Sequence, residues 1–354
     1  MNAERPEPKA PLRRVPADRL NRVVAAIFVQ AGMSEPDAQT VAEALVWANL
    51  RDVPSHGVSR VERYLDFIRR GDLDPKAVPE IRSITHAAFV CQANRAAGPI
   101  AFTFAAREAS RRCVQSGIAF GLIRGTTHTG AIGRYVDMLA ADGRSGIAAN
   151  AGPANMAYFG ASAAGVSTSP FAMAVPGHAC APVLDFSTAA IAMGKLRGMA
   201  DRQETLAPGL ALDAHGQPTQ NPAMAKTSMP LAGAVGSGLA FMFECLTSIL
   251  AGEPIIAPVL AARTKGRHVQ NAFILAIDVA QFRPLDDFKD DLREFMTQIE
   301  LLPRQSGVAT LLAPGERGAR AATRNREAGI PLSDKTLKML ENLSGRAIDW
   351  SAGR

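Results

Sequence analysis

Apolar positions recur every three or four residues through the opening part of the chain. Leu20, Val23, Val24, Ile27 and Phe28 share the spacing of one helix face and predict a helix over 17–31, with Gly32 as its stop. Ser34, with Pro36 in the first turn and Asp37 three residues on, has the form of a helix cap, so a second helix is expected to run to about Leu50. A third should begin near Val58, turn Val61, Leu65 and Ile68 inward, and end before Gly71. Between the second and third lies SHGVSR, residues 55–60. Its His56 is expected on a loop and its Arg60 about one turn into the helix. There the two side chains could converge on a small anion at the positive helix end.

From about residue 80 the period changes. Strand-like runs alternate with helical ones: ITHAAFVCQA, a helix near 98–116, IAFGLIRG, a helix near 131–141, and GIAANAG. FAMAVPG and APVLDFST follow as strands, then a helix near 235–250, the strand NAFILAIDVA, a helix near 286–300, the strand VATLLAP and two C-terminal helical segments. The pattern is that of a mixed α/β chain without repeats.

Composition narrows the function classes. The 354 residues suggest about two domains, and 47% apolar residues can build an ordinary core. The net charge of +6 gathers near the two ends and accompanies no nucleic-acid-binding signature. The four cysteines, Cys91, Cys113, Cys180 and Cys245, form no CxxC pair, so no zinc site is expected. They read as small core residues in a reducing cytoplasm. The opening MNAERPEPKAPLRRVP has no apolar segment, which argues against a secretory signal and for a disordered tail over 1–16. The apolar stretch from Met229 to Phe243 is broken by glycines and is too short to span a membrane.

Several familiar chemistries have no foothold. No GxGxxG joins a strand to a helix, and P-loop, HExxH and GxSxG patterns are absent. GTTHTGAIG, residues 125–133, does follow a strand and precede a helix; its glycines and free amides suit a phosphate or cofactor, and His128 sits among small polar neighbours. The plain alternative for His128 is a structural role. In PVLDFST, Asp185 lies inside an apolar strand, where an unpaired carboxylate is costly. It could orient a histidine by accepting its Nδ1–H, or it could cap the helix after Thr188. AGAVGSG, residues 232–238, is a glycine-rich helix entry that suits a cofactor or simply close packing.

Taken in order, SHGVSRVERYLDFIRRG, HTGAIGRYVDMLAADG, GVSTSPFAMAVPG, PVLDFSTAAIAMGKL, LDAHGQPTQNP, GSGLAFMFECLTSILAG and APGERGARAATRNREAGIPL resemble the malate/L-lactate dehydrogenase family of NAD(P)-dependent oxidoreductases. The resemblance covers most of residues 17–335. It implies an α/β, mixed-sheet, non-Rossmann fold of the L-sulfolactate dehydrogenase type with a helical N-terminal segment. It also implies a homodimer with the active site between domains. Residues 17–80 with 285–354 would form a helical substrate and dimer domain, and 81–284 the NAD(P)-binding domain. By motif, Ser55, His56 and Asp185 resemble a hydrogen-bonded relay, Arg60 a ligand for the substrate carboxylate, and Asn150 a second substrate contact. His128, Thr129, Gly130 and Ala131 match the cofactor and active-site loop; either His56 or His128 could be the direct base. Thr168, Ser169 and Pro170 stand where the family usually has Thr-Asn-Pro, and Val235 and Gly236 lie in its cofactor stretch. Arg317 and Arg320 match a segment that reaches cofactor phosphates.

The chemistry implied needs a base for the hydroxyl proton, a nicotinamide to receive hydride, and an arginine for the carboxylate. The expected partners are a small 2-hydroxy or 2-oxo acid, NAD or NADP, and a second copy of the chain, with no metal, nucleic acid or membrane. Two departures stand out. Val235 occupies the usual lysine position and cannot donate a hydrogen bond, and Ala149 precedes Asn150 where a threonine is expected. Arg317 and Arg320 could offset the missing lysine. A reductase of cyclic imino acids could use the same residues, and a cofactor-deficient binding protein is the reading from another class.

Overall fold

The computed structural model describes residues 12–264 and 268–350. Two short helical turns aside, its first helices follow the predicted spacing: α1 is Ala17–Gln30 and α2 is Glu35–Leu50. The Ser34 hydroxyl oxygen accepts the Asp37 amide and so caps α2. The third helix, α3, is Val61–Arg70, and it starts later than expected because two 3₁₀ turns, Pro54–His56 and Val58–Arg60, precede it. Its fully buried residues are Val61, Tyr64 and Phe67, with Leu65 and Ile68 flanking them. His56 therefore lies in a 3₁₀ turn and Arg60 at the helix entry.

Leu12–Val15 forms a strand, β1, where a disordered tail is predicted for 1–16; residues 1–11 of that tail lie outside the described residues. It pairs antiparallel with Ile330–Ser333, because alternating Ile330 and Leu332 bury one face there. That strand links two helices, Glu316–Ala328 and Asp334–Ser344, which pack on α1, α2 and α3. Val15, Leu20, Phe28, Leu45, Tyr64, Leu337 and Leu340 share this helical core.

The second core is built on a seven-stranded sheet. In chain order its parts are β2 (Glu80–Ser83), β3 (Ala88–Gln92), α4 (Gly98–Ser116), β4 (Ile118–Thr126), α5 (Gly133–Ala141) and β5 (Arg144–Ala151). Two short strands, β6 (Met156–Ala157) and β7 (Ala164–Val166), leave for a small side sheet before β8 (Pro170–Ala174) and β9 (Val183–Ser187) return. Helix α6 (Met193–Asp201) and strands β10 (Ala211–Leu212) and β11 (Thr227–Ser228) follow; β10 and β11 complete the side sheet. Then come α7 (Ala234–Glu244), continued by a π turn to Ile249, α8 (Ile256–Leu260), β12 (Gln270–Asp278) and α9 (Leu285–Glu300). The C-terminal elements already described are α10, β13 and α11.

The strand order is β2-β3-β4-β12-β5-β8-β9, parallel only between β3 and β4. Alanines let α4 and α5 approach one face closely: Ala101, Ala105 and Ala109 of α4 meet Ala119, Ala148 and Ala272 of the sheet in one core. Phe243 of α7 covers the other face beside Phe171 and Phe273. Of the predicted run ITHAAFVCQA, residues 84–93, the first four residues form the turn of a hairpin and Ala88–Gln92 its second strand, β3, with β2 preceding the run. The predicted strand VATLLAP is irregular and exposed along most of its length; its Pro314 carbonyl merely accepts the Val183 amide. Helix α9 does not join the helical core as the predicted division of the chain had it. It follows β12, with Leu285 against Gly143 and no fully buried residue.

The register decides where chemistry can sit. Thr126 of β4 lies opposite Gln270, and Ala151 of β5 opposite Asn271. Pro170 lies opposite Ser187. The ends of β4, β5 and β9 and the starts of β8 and β12 are therefore gathered at one end of the sheet.

Candidate active site

That end carries the loop 127–132, which holds His128. Gly98, the first residue of α4, packs against it: a Cβ there would fall 2.3 Å from the His128 carbonyl oxygen and 2.4 Å from Thr129 Cα. From the helical side, the turn 54–60 brings His56 over the same loop, and the two imidazoles stack with centroids 6.0 Å apart and planes inclined by 15°. Gly57 permits this by leaving room for Asn49. A Cβ on Gly57 would sit 2.0 Å from Asn49 Oδ1, the atom that accepts the Val58 amide at 2.7 Å. The glycine is needed for space, since its φ of −93° suits any residue.

Both histidines are neutral at ordinary pH. Burial, then the neighbouring Arg60 charge, pushes His56 down to about 4. Burial also holds His128 well below the usual imidazole range, aided by Arg60, His56, Arg63 and His268. The Ser55 hydroxyl lies 3.2 Å from His56 Nδ1. His128 Nδ1 lies 3.1 Å from the Tyr64 hydroxyl, whose oxygen is also 2.7 Å from the His128 carbonyl. Burial raises the Tyr64 phenol well above its ordinary range, so it keeps its proton. That one proton goes to the carbonyl, which can only accept. The remaining contact then requires Nδ1–H to donate to the Tyr64 oxygen, leaving the lone pair on Nε2. The Gly130 amide is a longer, competing donor to Nδ1 at 3.3 Å.

Arg60 is fixed by donating from Nε to the Ser55 carbonyl at 2.5 Å. It lies against Gly194 at the start of α6, where a Cβ would come within 2.5 Å of its Nη2. Asp185 departs from its predicted role. It orients neither histidine; instead its Oδ2 accepts the Gly133 amide at 2.8 Å, at the first turn of α5. The side chain points to the α5 face of the sheet, and Gly133 leaves it room, since a Cβ there would fall 2.8 Å from Oδ2. Crowding by protein raises Asp185 to about 6, against the lowering effect of the Gly133 amide. The residue is nonetheless exposed to solvent, which moderates that shift.

Asn150 reaches the loop from β5, donating from Nδ2 to Thr129 Oγ1 at 2.7 Å and to Gln270 Oε1 at 3.2 Å. Thr129 and Ala131 are buried, and Gly130 has a φ of +70° that favours glycine. Thr168, Ser169 and Pro170 sit at the start of β8. The Thr168 carbonyl accepts the Ser187 hydroxyl and the amide and hydroxyl of Thr188. Gly236 abuts the Thr188 carbonyl, so α7 begins beside them. Val235 projects outward, 61% exposed.

These residues fit a nicotinamide dinucleotide. Ser169 Oγ, Asn150 Oδ1 and Thr127 Oγ1 are buried without a protein partner, and a carboxamide offers both donors and acceptors. Arg317 and Arg320 are not brought to Val235. Their helix begins at Gly315, against Val183 at the far end of β9, about 13 Å of strand from Ser187. Arg320 is also paired with Glu316.

Sequence reasoning missed Tyr64, Arg63, Arg197 and His268. Tyr64 was within reach, since it follows Arg60 by four residues on the same helix face. His268, stacked on Phe67 with centroids 4.2 Å apart, carried no sequence signal.

The sequence pattern defining the family described as malate/L-lactate dehydrogenase matches residues 15–341. The malate/(S)-sulfolactate dehydrogenase of Methanothermus fervidus is 28% identical over 322 residues, 88% of this chain and 92% of that protein. The Delta(1)-pyrroline-2-carboxylate reductase 1 of Burkholderia ambifaria is 31% identical over 239 residues, 67% of this chain and 70% of that one. Among solved structures, malate dehydrogenase from Entamoeba histolytica superimposes with a TM-score of 0.89 over 94% of this chain and 98% of that one. At 22% identity this likeness speaks for the fold. The missing Rossmann fingerprint and the mixed sheet thus have a common explanation: the chain belongs to the malate/L-lactate dehydrogenase family of oxidoreductases.

Proposed function

We propose that this protein interconverts a small 2-hydroxy acid and its 2-oxo acid, with NAD or NADP as hydride partner. The observation that carries the reading is His128, held uncharged by burial with its Nδ1 at the Tyr64 hydroxyl, beside the half-buried Arg60. Arg60 holds the substrate carboxylate and fixes which face of C2 is presented. His128 Nε2 takes the hydroxyl proton during oxidation and returns it during reduction. The resulting imidazolium donates from Nδ1 to Tyr64. His56, with Ser55 at its Nδ1, walls the other side and passes protons onward. The bound nicotinamide supplies or receives the hydride; Thr168, Ser169, Gly130 and the α7 entry would hold it. The second copy of the chain in a homodimer, and a cytoplasmic setting, belong to the same proposal.

A second reading is reduction of a cyclic imino acid, favoured by the similarity to the Burkholderia reductase. It uses the same arginine, with the histidines serving the ring nitrogen. Initial rates with 2-oxo acids and cyclic imines, each with NADH and NADPH, separate the two. His128→Gln should lower kcat by about 100-fold or more. Turnover unchanged in that variant would remove His128 from the chemistry.

A further inference from the structure

Asn325 is fully buried on α10, in the segment whose Arg317 and Arg320 the sequence assigns to the cofactor, and it has no part in the mechanism above. Its Nδ2 donates to the Leu50 carbonyl and to Asp52 Oδ1, both at 2.9 Å. Each of these oxygens can only accept, so the amide has one orientation. Leu50 ends α2, and a last-turn carbonyl has no donor within its own helix. Just past it the backbone of Asp52 is left-handed, with φ at +59°. The Asp52 amide donates to the Asn49 carbonyl and the Val53 amide to the Ala48 carbonyl, which closes the helix end. Glycine is the usual residue there, because a Cβ makes the conformation costly, and an aspartate stays only where its surroundings hold it. The turn carrying the site's histidine and arginine leaves directly from this corner. Only Val53, Pro54 and Ser55 separate Asp52 from His56, and the Pro54 ring fixes its own φ. A rotation at Asp52 is therefore carried into His56 and Arg60 rather than absorbed on the way.

Two side chains grip the corner, and their surroundings decide which one matters. Arg324 reaches Asp52 Oδ2 at 2.7 Å, but the two side chains are 54% and 47% exposed, and ion pairs in water contribute little. Asn325 is fully buried, and its bond to Leu50 lies out of water, where leaving a partner unmet is costly. We infer that Asn325 is a positioning residue of the active site: from the C-terminal helix it holds Asp52 in the left-handed conformation that aims the turn carrying His56 and Arg60. The effect on turnover rests on the oxidoreductase reading above; the hold on the turn does not.

The test follows hydrogen exchange and steady-state kinetics of the full-length protein. Asn325→Ala should speed exchange of the amides of 53–60 about 10-fold and raise KM for a 2-oxo acid about 10-fold, because Arg60 loses its place. Its affinity for the reduced dinucleotide, read by fluorescence, should be unchanged. Adding Asp52→Gly to Asn325→Ala should restore slow exchange and low KM, since glycine holds a positive φ unaided. Arg324→Gln should change neither by more than about 2-fold. Ser333→Ala, which removes the α11 cap in the same helical core, should lower the melting temperature without moving either. Asp52→Ala and Asp52→Gly repeat the test with Asn325 in place, should its variant fail to fold: the alanine should speed exchange and the glycine should not. Unaltered exchange in Asn325→Ala, the same change in Ser333→Ala, or no recovery with Asp52→Gly overturns the inference. Equal exchange in the two Asp52 variants overturns it as well. Faster exchange with KM unchanged makes Asn325 a purely structural residue and overturns the positioning role. A wild type that reduces no 2-oxo acid overturns the oxidoreductase reading, and the exchange rates then decide the inference alone.

Discussion

At the scale of single residues, the account turns on where protons reside. Tyr64→Phe keeps the ring among Phe28 and Phe67 but removes the oxygen that receives the His128 Nδ1 proton. The expected result is a kcat lowered about 10–100-fold with KM little changed, read from steady-state kinetics. A loss confined to KM would assign Tyr64 to binding. The buried histidines also predict how stability depends on pH. His56 and His268 sit at about 4 in the fold, against an ordinary value of 6.5, so the unfolded chain binds more protons between those limits. Their contribution is complete above pH 6.5 and is lost as the pH falls toward 4. Asp185, held at about 6 against 3.8, works in the opposite sense over the lower part of that window. With His128 added to the histidine side, the melting temperature should fall from pH 6.5 to 4.5. His268→Phe should make that fall shallower by about one proton; a flat profile would contradict the burial assigned here. SHGVSR announced the pair His56 and Arg60, because a histidine and an arginine on one junction have few structural uses. Asp185 was misread because pattern alone does not show which face of an edge strand its side chain takes.

At the scale of elements, the active site depends on fitted glycines between packed units. Gly57 is the sharpest case. In Gly57→Ala the new methyl displaces Asn49, frees the Val58 amide and shifts the turn carrying His56 and Arg60. A destabilisation of about 2–4 kcal/mol is expected, with a large drop in kcat/KM, measured by denaturant unfolding and kinetics. An unperturbed variant would mean that the turn is not held by Asn49. The helices and main strands were legible because their apolar periods are long and regular, as in α1 and β12. The segment VATLLAP was apolar enough to suggest a strand, yet its end meets the outer edge of β9 at the Val183 amide without building a ladder there. The short strands of the side sheet, two or three residues each, are shorter than any period that a sequence can display.

At the scale of the whole molecule, two cores meet at one end of a mixed sheet, and the site lies where their ends converge. The family and fold were readable from motifs in order. The distance of Arg317 and Arg320 from Val235 was not, because it depends on how a C-terminal helix returns to the start of β9. Val235→Lys should therefore strengthen binding of the reduced dinucleotide about 3–10-fold in a fluorescence titration, since Arg317 and Arg320 lie away from that position. Unchanged affinity would mean that the exposed α7 entry lies outside the cofactor site. The most direct test of the central claim follows the nicotinamide absorbance of the full-length protein while 2-oxo acids are added with NADH and with NADPH. The account predicts cofactor oxidation with at least one acid, slowed about 100-fold or more by His128→Gln. No oxidation of either cofactor by any 2-oxo acid would contradict it.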